Sequence, residues 1–192
     1  MKKYLYLVAI ALVSCGAVLS SCSDDKISGD SIFSTKAVER NAFDQWLYKN
    51  YTMPYNIEFQ YRLKTEETDQ AYNFVPADSA KSVKLAILTK YMWFDAYAET
   101  VGLDFVKENS PRIIVVTGTP GYTRYRTEVI GSAEGGYKVR LGKVNALTDD
   151  QLKDYGSMTN YYFHTMHHEF MHILNQKKPY DESYDNISRS DY

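Results

Sequence analysis

The sequence predicts an α+β fold: a small mixed or antiparallel sheet packed against one long helix and a second, histidine-bearing helix. Three stretches carry that expectation. Tyr55, Ile57, Phe59, Tyr61 and Leu63 alternate with Asn56, Glu58, Gln60, Arg62 and Lys64, the period of a half-buried strand. Residues 112–117 (RIIVVT) are short and almost wholly apolar, the pattern of a central strand. Residues 161–176 (YYFHTMHHEFMHILNQ) hold apolar side chains at helical spacing, with no glycine or proline to interrupt them.

The first 21 residues read as a lipoprotein signal peptide. Lys2 and Lys3 form a basic start, and the apolar run 5–19 is too short for a comfortable membrane span. Residues 19–22 (LSSC) resemble a bacterial lipobox, in which Cys22 is lipidated and becomes the new N-terminus. A lipidated chain is anchored to a membrane and does not span it. Residues 22–35 then form a polar tether, and 36–192 a single domain with one core. Cys15 leaves with the signal and Cys22 carries lipid, so neither a disulfide nor a free thiolate is expected. The chain has 22 Lys and Arg against 24 Asp and Glu. Without Lys2 and Lys3 it is mildly acidic and has no basic patch, which argues against nucleic acid as a partner.

Ser34 or Thr35 is placed to cap a first helix to about residue 48, with Val38, Phe43, Trp46 and Leu47 inward and Pro54 as its breaker. The period-two strand follows, then a charged loop over 64–73. Asp78 or Ser79 opens the long helix to about Thr100. Val83, Ile87, Leu88, Tyr91, Met92 and Phe94 are its expected core face, and Gly102 its stop. After the central strand, residues 118–121 turn the chain. Residues 122–130 and 137–144 read as a hairpin joined around 133–136, whose exposed edge could align an extended peptide by backbone pairing. Thr148 and Gln151 suggest a capping box, with a break at Gly156-Ser157 ahead of the histidine helix. The 18 tyrosines fit β-propensity and amphipathic packing, with a sugar- or peptide-stacking surface as the alternative.

His168, Glu169 and His172 form an H-E-x-x-H motif. Four-residue spacing sets the two histidines on one helix face, one turn apart, where two imidazoles can share a metal ion. Glu169 sits about 100° round the helix, beside the metal, where a carboxylate can take a proton from metal-activated water. All four histidines (His164, His167, His168, His172) fall in this run. Phe163, Met166, Phe170, Met171, Ile173 and Leu174 would bury the helix and dry the metal's surroundings.

Four stretches resemble the zinc-binding metallopeptidases of Bacteroidetes, especially the substrate import-associated zinc metallohydrolase lipoproteins. They are LSSC at 19–22, MPYNIEFQYR at 53–62, GSAEGGYKVRLGKVN at 131–145 and, most specific, HHEFMHILNQKKPY at 167–180. The resemblance spans most of the mature chain. It implies a zincin-like α+β fold, a Zn2+ cofactor and a peptide or protein substrate. It also implies an outer-membrane location, with lipid held through Cys22 and a TonB-dependent import system as partner. Asp24 and Asp25 after Cys22 resemble a surface-export signal, which implies outward display. Carried over, His168 and His172 would be zinc ligands and Glu169 the general base.

A catalytic zinc usually takes three protein ligands and keeps one open position. The metzincin continuation would place Gly at 175 and His at 178, where this chain has Asn175 and Lys178. The gluzincin continuation needs an acidic residue on a later helix. His164 is one turn before His168, but residues eight apart lie about 12 Å apart on a straight helix, so His164 and His172 cannot both join His168 on one ion. It is expected to support a ligand or pack in the core. Asp181, Glu182, Asp185 and Asp191 remain as candidates, and the expectation is a C-terminally truncated domain without the third ligand. Two functions follow: a lipid-anchored zinc peptidase, or a catalytically incomplete surface lipoprotein serving an import system as a binding or accessory module. A closed structural zinc site is disfavoured, since it needs four ligands and no cysteine is available.

Overall fold

A computed structural model describes residues 39–64, 66, 68, 69, 71–179, 181–187 and 189. The signal, the tether, Cys22 and the start expected for the first helix lie outside them. Asn41 caps helix α1 (Ala42–Leu47) in a capping box: its side chain accepts from the Asp44 N–H at 2.7 Å, and the Asp44 carboxylate accepts from the Asn41 N–H at 3.3 Å. The helix continues through a π turn (Tyr48–Thr52) into a last turn (Met53–Tyr55). Pro54 is therefore inside the helix, just after the π turn and two residues before the stop. The stop is Asn56, which adopts the left-handed conformation at φ 56°.

Strand β1 (Glu58–Gln60) is much shorter than the alternation over residues 55–64 suggested. Ile57, Phe59 and Tyr61 are buried as predicted, but Gln60 is buried as well. Helix α2 (Ser79–Thr89) starts at Asp78, whose side chain accepts from the Lys81 N–H at 2.9 Å. A second π turn (Lys90–Asp95) joins it to α3 (Ala96–Val101), which ends at Gly102 with φ 98°. The expected core face is partly wrong: Ile87 and Tyr91 are 50% and 68% exposed, whereas Ser82, Leu85, Ala86, Thr89, Trp93 and Phe94 are buried. Small residues (Ser82, Ala86, Thr89) share that inner face with Leu85, Trp93 and Phe94, and at Ala86 a large partner packs from outside the helix. The buried Tyr51 reaches across to donate its hydroxyl to the Ala86 carbonyl at 2.6 Å.

After α4 (Leu103–Asn109) comes β2 (Ile113–Val116), the predicted central strand. Residues 122–130 are not one arm of the hairpin. They contribute instead to a two-stranded ribbon, β3 (Gly121–Tyr122) with β4 (Glu128–Val129). The hairpin arm is β5 (Gly131–Glu134), much of which had read as turn, paired antiparallel with β6 (Lys138–Leu141). Gly135 and Gly136, at φ 58° and 70°, make the tight connection. The main sheet runs β1-β2-β6-β5, its first three strands parallel and β5 antiparallel at the edge. Its mixed character fits the α+β expectation. Phe59, Ile114, Val139 and Ala133 lie in one register row, and this face carries the core.

Thr148 and Gln151 form the predicted capping box on α5 (Asp149–Lys153). The break falls at Asp154, which caps α6 (Tyr155–Met158), so Gly156 and Ser157 are helical. No helix among the described residues is long and apolar enough to cross a membrane. Thr148→Ala removes the acceptor for the Gln151 N–H, and should destabilise the domain by about 1 kcal/mol in urea unfolding.

Candidate metal centre

A third π turn (Thr159–Phe163) leads into the histidine helix, α7 (His164–Lys177). Met166, Phe170 and Ile173 recur at helical spacing and are fully buried, which fixes the helix's rotation about its axis. Tyr162 pins the approach by donating to the Gly142 carbonyl at 3.1 Å. The opposite face is left to His168 and His172, both exposed. The helix is thus buried along one stripe and open along another; Met171, expected inside, is 43% exposed.

The His168 and His172 Nε2 atoms are 3.0 Å apart, with the rings at 87°. Two nitrogens held at about 2.0–2.1 Å on a tetrahedral zinc would be separated by roughly 3.3 Å. The pair is therefore within a few tenths of an ångström of the spacing that such an ion requires.

Glu169 lies between the histidine face and the buried stripe, and is itself buried. Burial pushes its carboxyl above the ordinary value. The imidazoles of His168 and His172, the Arg140 guanidinium and the Ala133 backbone N–H pull the other way without cancelling the shift. A carboxylate with a raised pKa is a better proton acceptor near neutral pH.

The edge strand β5 covers this flank. A Cβ on Gly131 would fall 2.2 Å from Thr165 Cγ2 and 3.0 Å from Glu169 Oε1, so the strand can approach the helix only as glycine. Gly142 N–H donates to the Ile130 carbonyl at 2.6 Å, which sets the alternation of the ladder. Gly131 and Ala133 then direct their backbone groups away from β6, off the sheet edge. Gly131, Ala133 and Arg140 were missed as site residues by the sequence reading. The usable signal was the glycine in 131–136, a run too poor in β-branched residues to read as an edge strand.

His164 is exposed and stacks on His168, with ring centroids 5.9 Å apart; it is not packed in the core. His167 is the histidine that packs inward. Its Nδ1 is 3.2 Å from the Tyr97 hydroxyl, and burial, then His164, lowers its pKa. Asp181 is exposed and accepts from the Ser183 N–H at 2.8 Å. The side chains of Glu182 and Asp185, and all of Asp191, lie outside the described residues. Among the described residues no three His, Cys, Asp or Glu side chains converge on one point. The donor set fits zinc as two of its protein ligands.

An H-E-x-x-H helix seated beneath the antiparallel edge of a mixed sheet defines the metallopeptidase class of α+β fold. The chain belongs to the family described as "Putative zinc-binding metallo-peptidase", which matches residues 36–192. It is also similar, at 44% identity and a TM-score of 0.61, to a crystal structure described as a putative zinc-binding metallo-peptidase from Bacteroides caccae. That match covers 84% of this chain and 60% of the other, so the chain spans less than two thirds of that relative's length. No protein of curated function matches.

Gly131→Val should be destabilising by about 1–3 kcal/mol in urea unfolding, because its Cβ would overlap Thr165 Cγ2 at 2.2 Å and crowd Glu169. A stability within 0.5 kcal/mol of the parent would show that strand and helix are not in close contact.

Proposed function

We propose that the chain is a zinc-dependent hydrolase of peptides, in which His168 and His172 hold the metal and Glu169 is the general base. The observation that carries this reading is the convergence of the two Nε2 atoms at 3.0 Å, with a buried carboxylate on the adjoining flank. A zinc ion held there would supply Lewis acidity, lowering the pKa of a water in its open position to about 7. Glu169 accepts the proton from the attacking water at its carboxylate and passes it to the leaving amine. The Ala133 N–H and the wall at Gly131 hold that carboxylate in place and exclude solvent from its inner side. The remaining outward backbone groups of β5, the Gly131 N–H and carbonyl and the Ala133 carbonyl, hold an extended peptide by strand addition.

The proposal extends to the address. The LSSC stretch at 19–22 supports lipid attachment at Cys22 and an outer-membrane anchor. The import-associated family resemblance supports a TonB-dependent nutrient-import partner. Replacing Cys22 by Ala in the full chain should abolish incorporation of labelled palmitate, and label retained in that variant would exclude lipid attachment at Cys22.

Metal analysis and peptide cleavage test the chemistry together. His168→Ala and His172→Ala should each lose stoichiometric zinc. Glu169→Gln should keep the zinc while kcat/KM falls by roughly 10²–10⁴. Cleavage unaltered in Glu169→Gln would remove that residue from the mechanism. Zinc lost to a mild chelator, with no cleavage, would leave a binding module in place of an enzyme.

A further inference from the structure

Among the described residues, the flank of α7 opposite β5 is only partly covered, Tyr97 packing on His167 there. A cavity of about 410 Å³ opens there, within the range of small-ligand sites, and His168 itself forms part of its wall. At about 100° per residue, Thr165 and Glu169 lie on one side of the His168/His172 stripe, and His164, His167 and Met171 on the other. The stripe thus separates the strand edge from the cavity. The remaining wall comes largely from two π turns: Met92 from the one between α2 and α3, Phe163 from the one ahead of α7. An extra residue per turn widens a helix and redirects its side chains, a feature frequent at functional sites. Tyr155 closes the outer rim, its ring centroid 6.0 Å from that of Phe163.

We infer that this cavity receives an aromatic side chain of the peptide substrate, an assignment that rests on the hydrolase reading given above. Its chemistry selects that occupant. Among the described residues no carboxylate, lysine or arginine lines it, so a charged side chain would lose its hydration there without gaining an opposite charge from them. Tyr155, Phe163 and the imidazoles offer ring faces and edges, and Met92 and Met171 offer thioethers that pack well against aromatic rings. Its continuity with His168 ties it to the reacting bond: a peptide paired along β5 crosses the histidine stripe to reach it. The strand edge takes the backbone of any sequence, and the cavity supplies the selection.

The test uses the full chain as its zinc-loaded Glu169→Gln form, and a fluorescent Gly-rich hexapeptide carrying one Phe or, in its place, one Ala. Anisotropy titration should show the Phe peptide binding at least roughly tenfold more tightly. Met171→Trp, which fills the cavity from a partly exposed position, should collapse that ratio. Tyr155→Ala, at a residue 73% exposed and safe for folding, should reduce it by removing one wall. Equal affinity for the two peptides, absence of binding included, overturns the assignment, as does a preference untouched by both variants. Mass-spectrometric cleavage by the parent chain separates the two readings. Cutting without aromatic preference leaves the hydrolase and removes the pocket; a Phe preference in binding without any cutting leaves the pocket and removes the hydrolase.

Discussion

The contact between Gly131 and the histidine helix is the constraint on which the rest of the site depends. A strand rarely lies against a helix with no side chain between them, and here Thr165 and Glu169 fill the space that a Cβ would need. The hairpin's turn touches the same helix: a Cβ on Gly136 would come within 3.1 Å of Gln176 Oε1. β5 is thus laid along α7 over about three turns. That seating buries Glu169, directs the Ala133 N–H at its carboxylate, and leaves the other edge groups of the strand beside the histidine pair.

Burial of Glu169 opposes its charge, while two imidazoles, a guanidinium and one backbone amide favour it. Burial is the larger effect, and the carboxyl ends above its ordinary value. The same residue in water would be a weaker base, and without those partners burial would push its carboxyl higher still. Arg140 follows the same logic from the next strand. Its buried guanidinium donates to the Val129 carbonyl at 3.2 Å and stacks over Phe74 at 4.7 Å, with burial lowering its pKa. It holds the start of β5 against the ribbon while adding a positive charge to the field at Glu169.

Legibility in the sequence divides along the line between local and distant causes. The histidine pair was legible because four-residue spacing on one helix fixes the geometry with no help from elsewhere. The Thr148 capping box, the Asp78 cap, the Gly102 stop and the RIIVVT strand were legible for the same reason, whereas the Asn41 capping box was not foreseen. The strand β5 was not, because Gly131-Ser132-Ala133-Glu134 has little β-propensity; its composition answers to the helix beneath it. The inner face of α2 was misassigned because Ala86 there meets Tyr51, a residue 35 positions away in the chain. Pro54 misled because a proline just ahead of a helix stop looks, in sequence, like the stop itself.

The two flanks of the histidine stripe are therefore built on different principles. On one side a backbone edge packs so closely that only glycine fits, and what it offers a ligand is hydrogen bonds common to every peptide. On the other, two π turns draw helices out of their regular phase and leave side chains around an open space. Backbone pairing can hold a chain in line but cannot distinguish one sequence from another, whereas a cavity of limited size and no charge can. A site that combined only the first would be indiscriminate, and one with only the second would not set the scissile bond against Glu169. The helix joins the two because its period places His168 and His172 between a carboxylate on one side and a partly covered groove on the other.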